Sequence, residues 1–476
     1  MSPRIGSIMT VGKQAMANSQ TALQTTSHNI ANANTEGYTR QRIEQQSAEP
    51  IGSGKLRIGQ GSKTVGVTRV VNSYLNKQIQ DETTKLGTSS GRQGSLDRVE
   101  QVYNESINKG LNRFLANFFN AFKEFANNPE SQATRALVKE SAKILTEDFH
   151  RIHNQLDSIQ KDVDAQIRAQ VSQINGYSKE IATLNEKIQM VEVSGAPAND
   201  ERDRRDLLLK KLGELVNIRY AEGDNGKIAI TAGNNALLVS GYEFNELIAK
   251  STPADGIKRE GNIDVFFRSG PKGSEFLVTN QLKGGHIGGA LDARDSIIND
   301  LHSKLDHIAF SVTDEINALH RQGYDRYDQT GRNFFEPVQD EFNAALNIKL
   351  NEEIEEDSGY IAGAFQPGSP GDNRIANAIA AVQTKAIFQN GTSSVDDYFN
   401  GIVGEFAVLT RKNTMALEHQ KNIVEQLKNV REGISGVSLD EETTDMVKFQ
   451  KAYDASARLI KVADEMFDTV LNLKRL

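Results

Sequence analysis

A chain of 476 residues without a single cysteine has no disulfides, no thiolate metal centres and no cysteine nucleophile, and is long enough for two to four domains. Its net charge is -8, its pI is near 5.7, and acidic and basic residues are interspersed, so it lacks the basic footprint of a nucleic-acid binder. No run of about 18 apolar residues occurs and the N-terminal stretch has no apolar core, so neither membrane insertion nor a cleaved signal peptide is expected.

At the N-terminus Met9, Met16, Leu23 and Ile30 recur every seven residues, with only Gly12, Ser19 and Thr26 at the companion heptad positions. A stripe this narrow predicts a helix that orders against a partner rather than alone. The helix should end in HNIANANTEGYTRQR (28–42). Asn29, Asn32 and Asn34 are poor interior helix residues but cap a C-terminus and cross-link backbones, and Gly37 permits the left-handed turn that sends Tyr38 onward. Such a helix end suits a joint between neighbouring subunits.

Further along, Ile167, Ile174, Ile181 and Ile188 form a second seam with Leu184 and Val191 beside it. Ser194-Gly195-Ala196-Pro197 breaks this seam, and the chain should reverse there and return through a helix near Leu207 to Val216. Two more seams run through Leu291, Ile298, Leu305, Val312 and Leu319, and through Ile402, Leu409, Ala416, Ile423 and Val430. Between them KIAITAGNNALLVSG (227–241) and NIDVFFRSG (262–270) read as strands, and 322–392, with its turn-rich QPGSPGDN, as a further β-rich excursion. The C-terminal seam is the fullest: Met446, Tyr453, Ile460 and Phe467 every seven residues, with Phe449, Ala463 and Val470 three places after their neighbours. It is the nearest partner for the N-terminal helix.

Several stretches imitate catalytic or metal motifs. GSKT (61–64) has Ser62 and Arg57 where a phosphate loop needs glycines. Asp325 to Glu336 has the length of a calcium loop, but Gly331 stands one place late and Tyr327 and Gln329 occupy ligand positions, which reads as a polar turn. His150 and His153 share a helix face without a second metal signature and read as a solvated face. The acidic run Glu352, Glu353, Glu355, Glu356 and Asp357 has no nucleophile tied to it by spacing. No cofactor, metal or catalytic residue is expected.

The motif NIANANTEGYTR (29–40) resembles the axial proteins of the bacterial flagellum. Six further segments narrow the likeness: GQGSKTVGVTRVVNSYL (59–75), DRRD (203–206), GGHIGGALDARD (284–295), INALHRQGYD (316–325), GDNRIANAIA (371–380) and SGVSLDEETTDMVKFQKAYDASARLI (435–460). Together they resemble the hook-associated proteins of the hook-filament junction, with Ser62 and Asn72 where that family usually has Val and Asp. The resemblance implies a structural adaptor, not an enzyme, exported through the flagellar type III apparatus and self-assembling into a ring outside the cell. It implies the hook protein below, the second junction protein above, and an export chaperone on the C-terminal helix before secretion. Rival readings are a hook or rod subunit, which by resemblance would be dominated by β domains, and an enzyme in the β-rich part, which needs a convergent polar site.

The expected fold is mainly α with a β-rich insertion. The seams and strand runs divide it into terminal coiled-coil helices (1–72 and 438–476), a rod-like helical bundle (73–219, 291–321 and 393–437) and a β domain (220–290 with 322–392); the resemblance implies that the first forms an inner tube and the last faces outward. The expected assembly interface comprises Met9, Met16, Leu23, Ile30, Asn29, Asn32, Asn34, Gly37 and Tyr38 from the first end. Met446, Phe449, Tyr453, Ile460, Phe467 and Val470 supply the other.

Overall fold

The computed structural model describes residues 2–50, 58–103, 110–223, 226–252, 262–270 and 273–473. Its long axis is helix α4 (Gln132–Val193), 62 residues and so about 90 Å at 1.5 Å per residue. Ser131 caps its start by accepting from the Thr134 amide. The seam through Ile167, Ile174, Ile181 and Ile188 is buried throughout. The helix stops at Val193, Gly195 takes a positive φ, and α5 (Asn199–Leu215) returns antiparallel along it.

Further helices build the body around it. α2 (Ser73–Tyr103) begins where Asn72 accepts from the Leu75 amide. α3 (Leu111–Asn127) buries Phe118, Phe119, Phe122 and Phe125, and Phe118 meets Phe334 and Phe335 with ring centroids 5.8 and 6.0 Å apart. α6 (Gly285–Asp292) continues through a π turn (Ala293–Ile298) into α7 (Asn299–His320). α2 and α6 cross almost backbone to backbone. A Cβ on Gly91 would lie 2.3 Å from the His286 carbonyl oxygen, and one on Gly289 2.1 Å from that of Thr88. Glycine is therefore obligatory at both places.

The β insertion is two antiparallel sheets. β3 (Ile218–Glu222), β4 (Ile228–Ala232), β5 (Ala236–Ser240) and β6 (Glu243–Phe244) follow in order; β7 (Glu246–Ser251), β8 (Ile263–Arg268) and β9 (Glu275–Leu277) form the second. Two asparagines ten residues apart on α4 seat them. Asn175 bonds both backbone groups of Leu247, and Asn185 donates to the Ile228 and Gly241 carbonyls. Arg294, wholly buried in the π turn, joins Asp164 of α4 at 2.6 Å to the Ile263 carbonyl at 2.7 Å.

Residues 322–392 correct the expectation of a β-rich excursion. They contain isolated bridges and short helices, α8 (Ala344–Asn347), α9 (Glu352–Glu356) and α10 (Arg374–Ala381), and no named strand. The segment is held by side chains instead. Asn317 binds the backbone of Phe334 and Phe335, and Asp306 accepts from the Asn343 and Ala345 amides. Asp325 closes the lookalike calcium loop by accepting from the Tyr327 and Gln329 amides and pairing with Arg332 at 2.8 Å. The histidine reading is corrected as well: His153 is buried with its ring 4.9 Å from that of His302, and His150 bonds the Ile348 carbonyl.

His320 makes the segment acid-sensitive. Its Nδ1 bonds the Arg332 carbonyl at 2.7 Å, so Nε2 is the acceptor for the Ala362 amide at 2.8 Å, which requires the neutral ring. Burial pushes its pKa down from 6.5 to about 4. The folded value lies below the unfolded one, so the stabilisation is complete above about pH 6.5 and disappears as pH falls to about 4, a difference of about 3 kcal/mol. Denaturant melts of parent and His320→Gln should therefore converge by that amount between pH 7 and pH 4. A pH-independent difference between them refutes the assignment.

α11 (Val395–Ser435) lies along α2, but not on the expected residues. Ile402 is buried, whereas Leu409 and Val430 are exposed. The buried line is Ile402, Phe406, Thr410, Asn413 and Val424, with Asn413 donating to the Ser89 carbonyl and to Gln93. An α-helix turns every 3.6 residues, so a strict seven-residue count drifts off the contact, and here polar residues fill it.

Candidate assembly interface

Helices α1 (Ser2–Ala31) and α12 (Leu439–Leu473) bring the two ends together as an antiparallel pair. Gly12 faces Ile460 and Leu459: a Cβ there would lie 2.8 Å from Ile460 Cγ1. Asn29, at the opposite end of α1, reaches Glu442. Ser19, Ala22 and Thr26 share that heptad face and are buried, while Met9, Met16, Leu23 and Ile30 are half-buried. The contact face of α1 is thus the small companion stripe, because small residues let the helix axes approach closely.

On α12, Met446, Phe449, Tyr453 and Ile460 are half-buried, Ala463 is fully buried, and Phe467 and Val470 are 40% exposed. Val462, Met466 and Val470, at four-residue spacing on one side of the helix, are exposed.

The Asn-rich turn is a hub within the chain. Asn29 is 1% exposed and makes four bonds: Nδ2 donates to the Gln41 carbonyl and Glu442, and Oδ1 accepts from the Gln41 amide and Tyr38 hydroxyl. Asn32 caps locally, donating to the His28 carbonyl and accepting from Thr35, and Asn34 is exposed. Gly37 takes φ 85° and packs under Leu207 of α5. Tyr38 is buried, its ring edge-on to His28, with burial and then Asp200, Asp203 and Glu442 pushing its hydroxyl pKa up. Since Tyr38 donates to Asn29, it accepts from His28 Nδ1–H at 3.0 Å, which sets the histidine tautomer.

Sequence reasoning missed the charged members of this hub. β1 (Gln41–Ser47) and β2 (Ser62–Arg69) form an unforeseen antiparallel ribbon, clipped to α1 by Asn18, which donates to the Ser62 carbonyl and accepts from the Thr64 amide. Arg69 bridges Asp203 at 2.7 Å and Asp206 at 2.9 Å, and Asp203 also accepts from the Thr39 amide. The two aspartates of DRRD therefore anchor the turn to α5. Arg40 meets Glu441 and Glu442 at 2.6 and 2.7 Å. Among the described residues no group of three His, Asp or Glu side chains is gathered for a metal ion, and no helix is long and apolar enough to cross a membrane.

Residues 96–335 match the family model described as the flagellar hook-associated protein FlgK helical domain. Residues 433–473 match a flagellar basal body rod FlgEFG protein C-terminal model, and 9–39 a flagella basal body rod protein model. The chain is similar to flagellar hook-associated protein 1 of Bacillus subtilis (strain 168), 28% identical, covering 97% of this chain and 96% of that protein. It is also similar to flagellar hook-associated protein 1 of Escherichia coli (strain K12), 24% identical over 96% of this chain and 97% of that protein. The solved structure of the flagellar hook junction protein FlgK from Burkholderia pseudomallei has the same fold, with TM-score 0.67, 14% identity, and coverage of 75% of this chain and all of that one. With the helical-domain model matching about half of its length, the chain belongs to the flagellar hook-associated protein FlgK family.

Proposed function

We propose that this chain is a structural adaptor of the hook-filament junction, self-assembling into a ring between the hook protein and the second junction protein. The observation that carries the reading is the terminal pair. One face of α12 meets α1, while Val462, Met466 and Val470 on another side stay exposed for neighbouring subunits. Residues 1–72 with 438–476 are the assembling unit, together with the exposed Asn34, Phe467 and Val470. Buried Asn29 and Tyr38, with half-buried Gly37 between them, set its geometry. The helical body takes 73–219, 291–321 and 393–437 together with 322–392, and 220–290 forms the outer β unit. A hook and a filament are different lattices, and a ring with two unlike faces is the simplest joint between them.

The role is mechanical, not enzymatic. The chain leaves through the type III export apparatus, with a chaperone covering the apolar side chains of α12 until secretion. Deleting the gene should leave hooks without filaments and flagellin shed into the medium, with both defects reversed by the parent gene. Normal filaments on the deletion strain would overturn the adaptor role.

A further inference from the structure

We propose that Arg40 and Glu442 form a latch that fixes the angle at which the terminal helix pair leaves the helical body. This rests on the reading of α1 and α12 as the assembling unit. Only residues 436–438 separate the end of α11 at Ser435 from the start of α12 at Leu439. Three residues would leave that angle free if nothing else spanned the bend.

Arg40 spans it with both backbone and side chain. Its amide donates to the Ser435 carbonyl at 2.9 Å, and its own carbonyl accepts from Val70 just before α2. Its guanidinium grips the start of α12, with Nη1 2.6 Å from Glu441, Nε 2.7 Å from Glu442 and Nη2 3.7 Å from Asp445. The flanking residues bind the body: the Thr39 amide donates to Asp203 and the Gln41 side chain to Asp200. One short segment thus ties α12 to α11, α2 and α5.

Glu442 is what makes the arrangement a latch and not a surface ion pair. It is 2% exposed; one oxygen accepts from Asn29 at 3.0 Å, and the other is charge-paired with Arg40, its Nε 2.7 Å away. Without the guanidinium a buried carboxylate has no counter-charge, and rotating α12 about 436–438 to bring it into water relieves that most cheaply. The three partners come from positions 29, 40 and 442, so the latch closes only when both ends of the chain have met. An adaptor between two lattices needs this, because it must present its end helices in one direction. Arg40 and Glu442 act as positioning residues; the contact with neighbouring subunits is made elsewhere on α12.

The absence of cysteine makes the test clean. Spin labels on Lys421→Cys of α11 and Lys461→Cys of α12, both exposed, report the angle as a distance distribution in the soluble full-length chain. The parent background should give one narrow peak, and Arg40→Ala should at least double its width with the melting temperature of the helical body unchanged. Arg40→Lys, which keeps the charge against Glu442, should restore the narrow peak at the same distance. A broad parent distribution, a narrow Arg40→Ala peak, failure of Arg40→Lys to restore it, or a large fall in body stability in Arg40→Ala would each overturn the latch. Filament rescue in the deletion strain is scored separately, so failure of the adaptor reading is distinguishable from failure of the latch.

Discussion

Ile181→Asp is expected to lower the melting temperature of the soluble chain by about 10–20 °C, the largest loss of stability at a single position of those considered. Ile181 is fully buried, one turn before Asn185, whose amide seats the first sheet on α4. Truncating an isoleucine there costs about 2–5 kcal/mol from lost burial and the cavity. A carboxylate at the same place must either stay ionised without a partner or take up a proton, and either adds further cost. A total of about 5 kcal/mol or more, at about 2–4 °C per kcal/mol for bodies of 150–250 residues, gives that shift. Circular dichroism melts of the purified variant check it. A fall of under about 5 °C would mean that the α4 seam can open locally, and that the body is not one cooperative unit.

The same comparison of burial and chemistry explains which parts of the molecule were legible beforehand. The α4 and α6–α7 seams announced themselves because they are apolar, and apolar periodicity is what a sequence displays: Ile167, Ile174, Ile298, Leu305 and Val312 are all buried. The Ser194–Pro197 break and the strands at 228–232, 236–240 and 263–268 were readable for equally local reasons, a glycine turn and β-branched runs. What stayed hidden was contact made by small or polar side chains. Gly12, Gly91 and Gly289 lie at helix crossings where only a missing side chain allows the approach, and no hydrophobic count registers them. In 322–392, turn residues suggested strands, but the chain is organised by His320, Asn317 and Asp306 reaching out from α7, partners that are far away in the sequence.

The assembly motif behaved in the same way. Its turn was legible, since Gly37 does adopt a positive φ and Tyr38 does turn inward. Its partners were not, because Asn29, Arg40 and Glu442 meet across some four hundred residues. Family resemblance supplied the biological setting, and only the folded chain shows that Asn29 spends all four of its hydrogen bonds inside one molecule.

Ile460→Asp should abolish incorporation at the junction while shifting the melting temperature of the helical body by no more than about 2 °C. Ile460 is half-buried against α1 at Gly12, a residue with no side chain to pair with a carboxylate. The substitution separates two helices whose partners are chiefly each other, so its cost of about 1–3 kcal/mol falls on the terminal pair. α4 and its seam do not feel it. In the deletion strain the variant should be secreted yet give hooks without filaments, whereas a conservative Ile460→Val should restore motility. Two results would count against this account, and they point in different directions. Melting as severe as that of Ile181→Asp would place the terminal pair within the cooperative core of the body. Normal filaments would mean that subunits contact one another through some surface other than α12, because a charge inserted between α1 and α12 cannot leave the packing of their outer stripe intact.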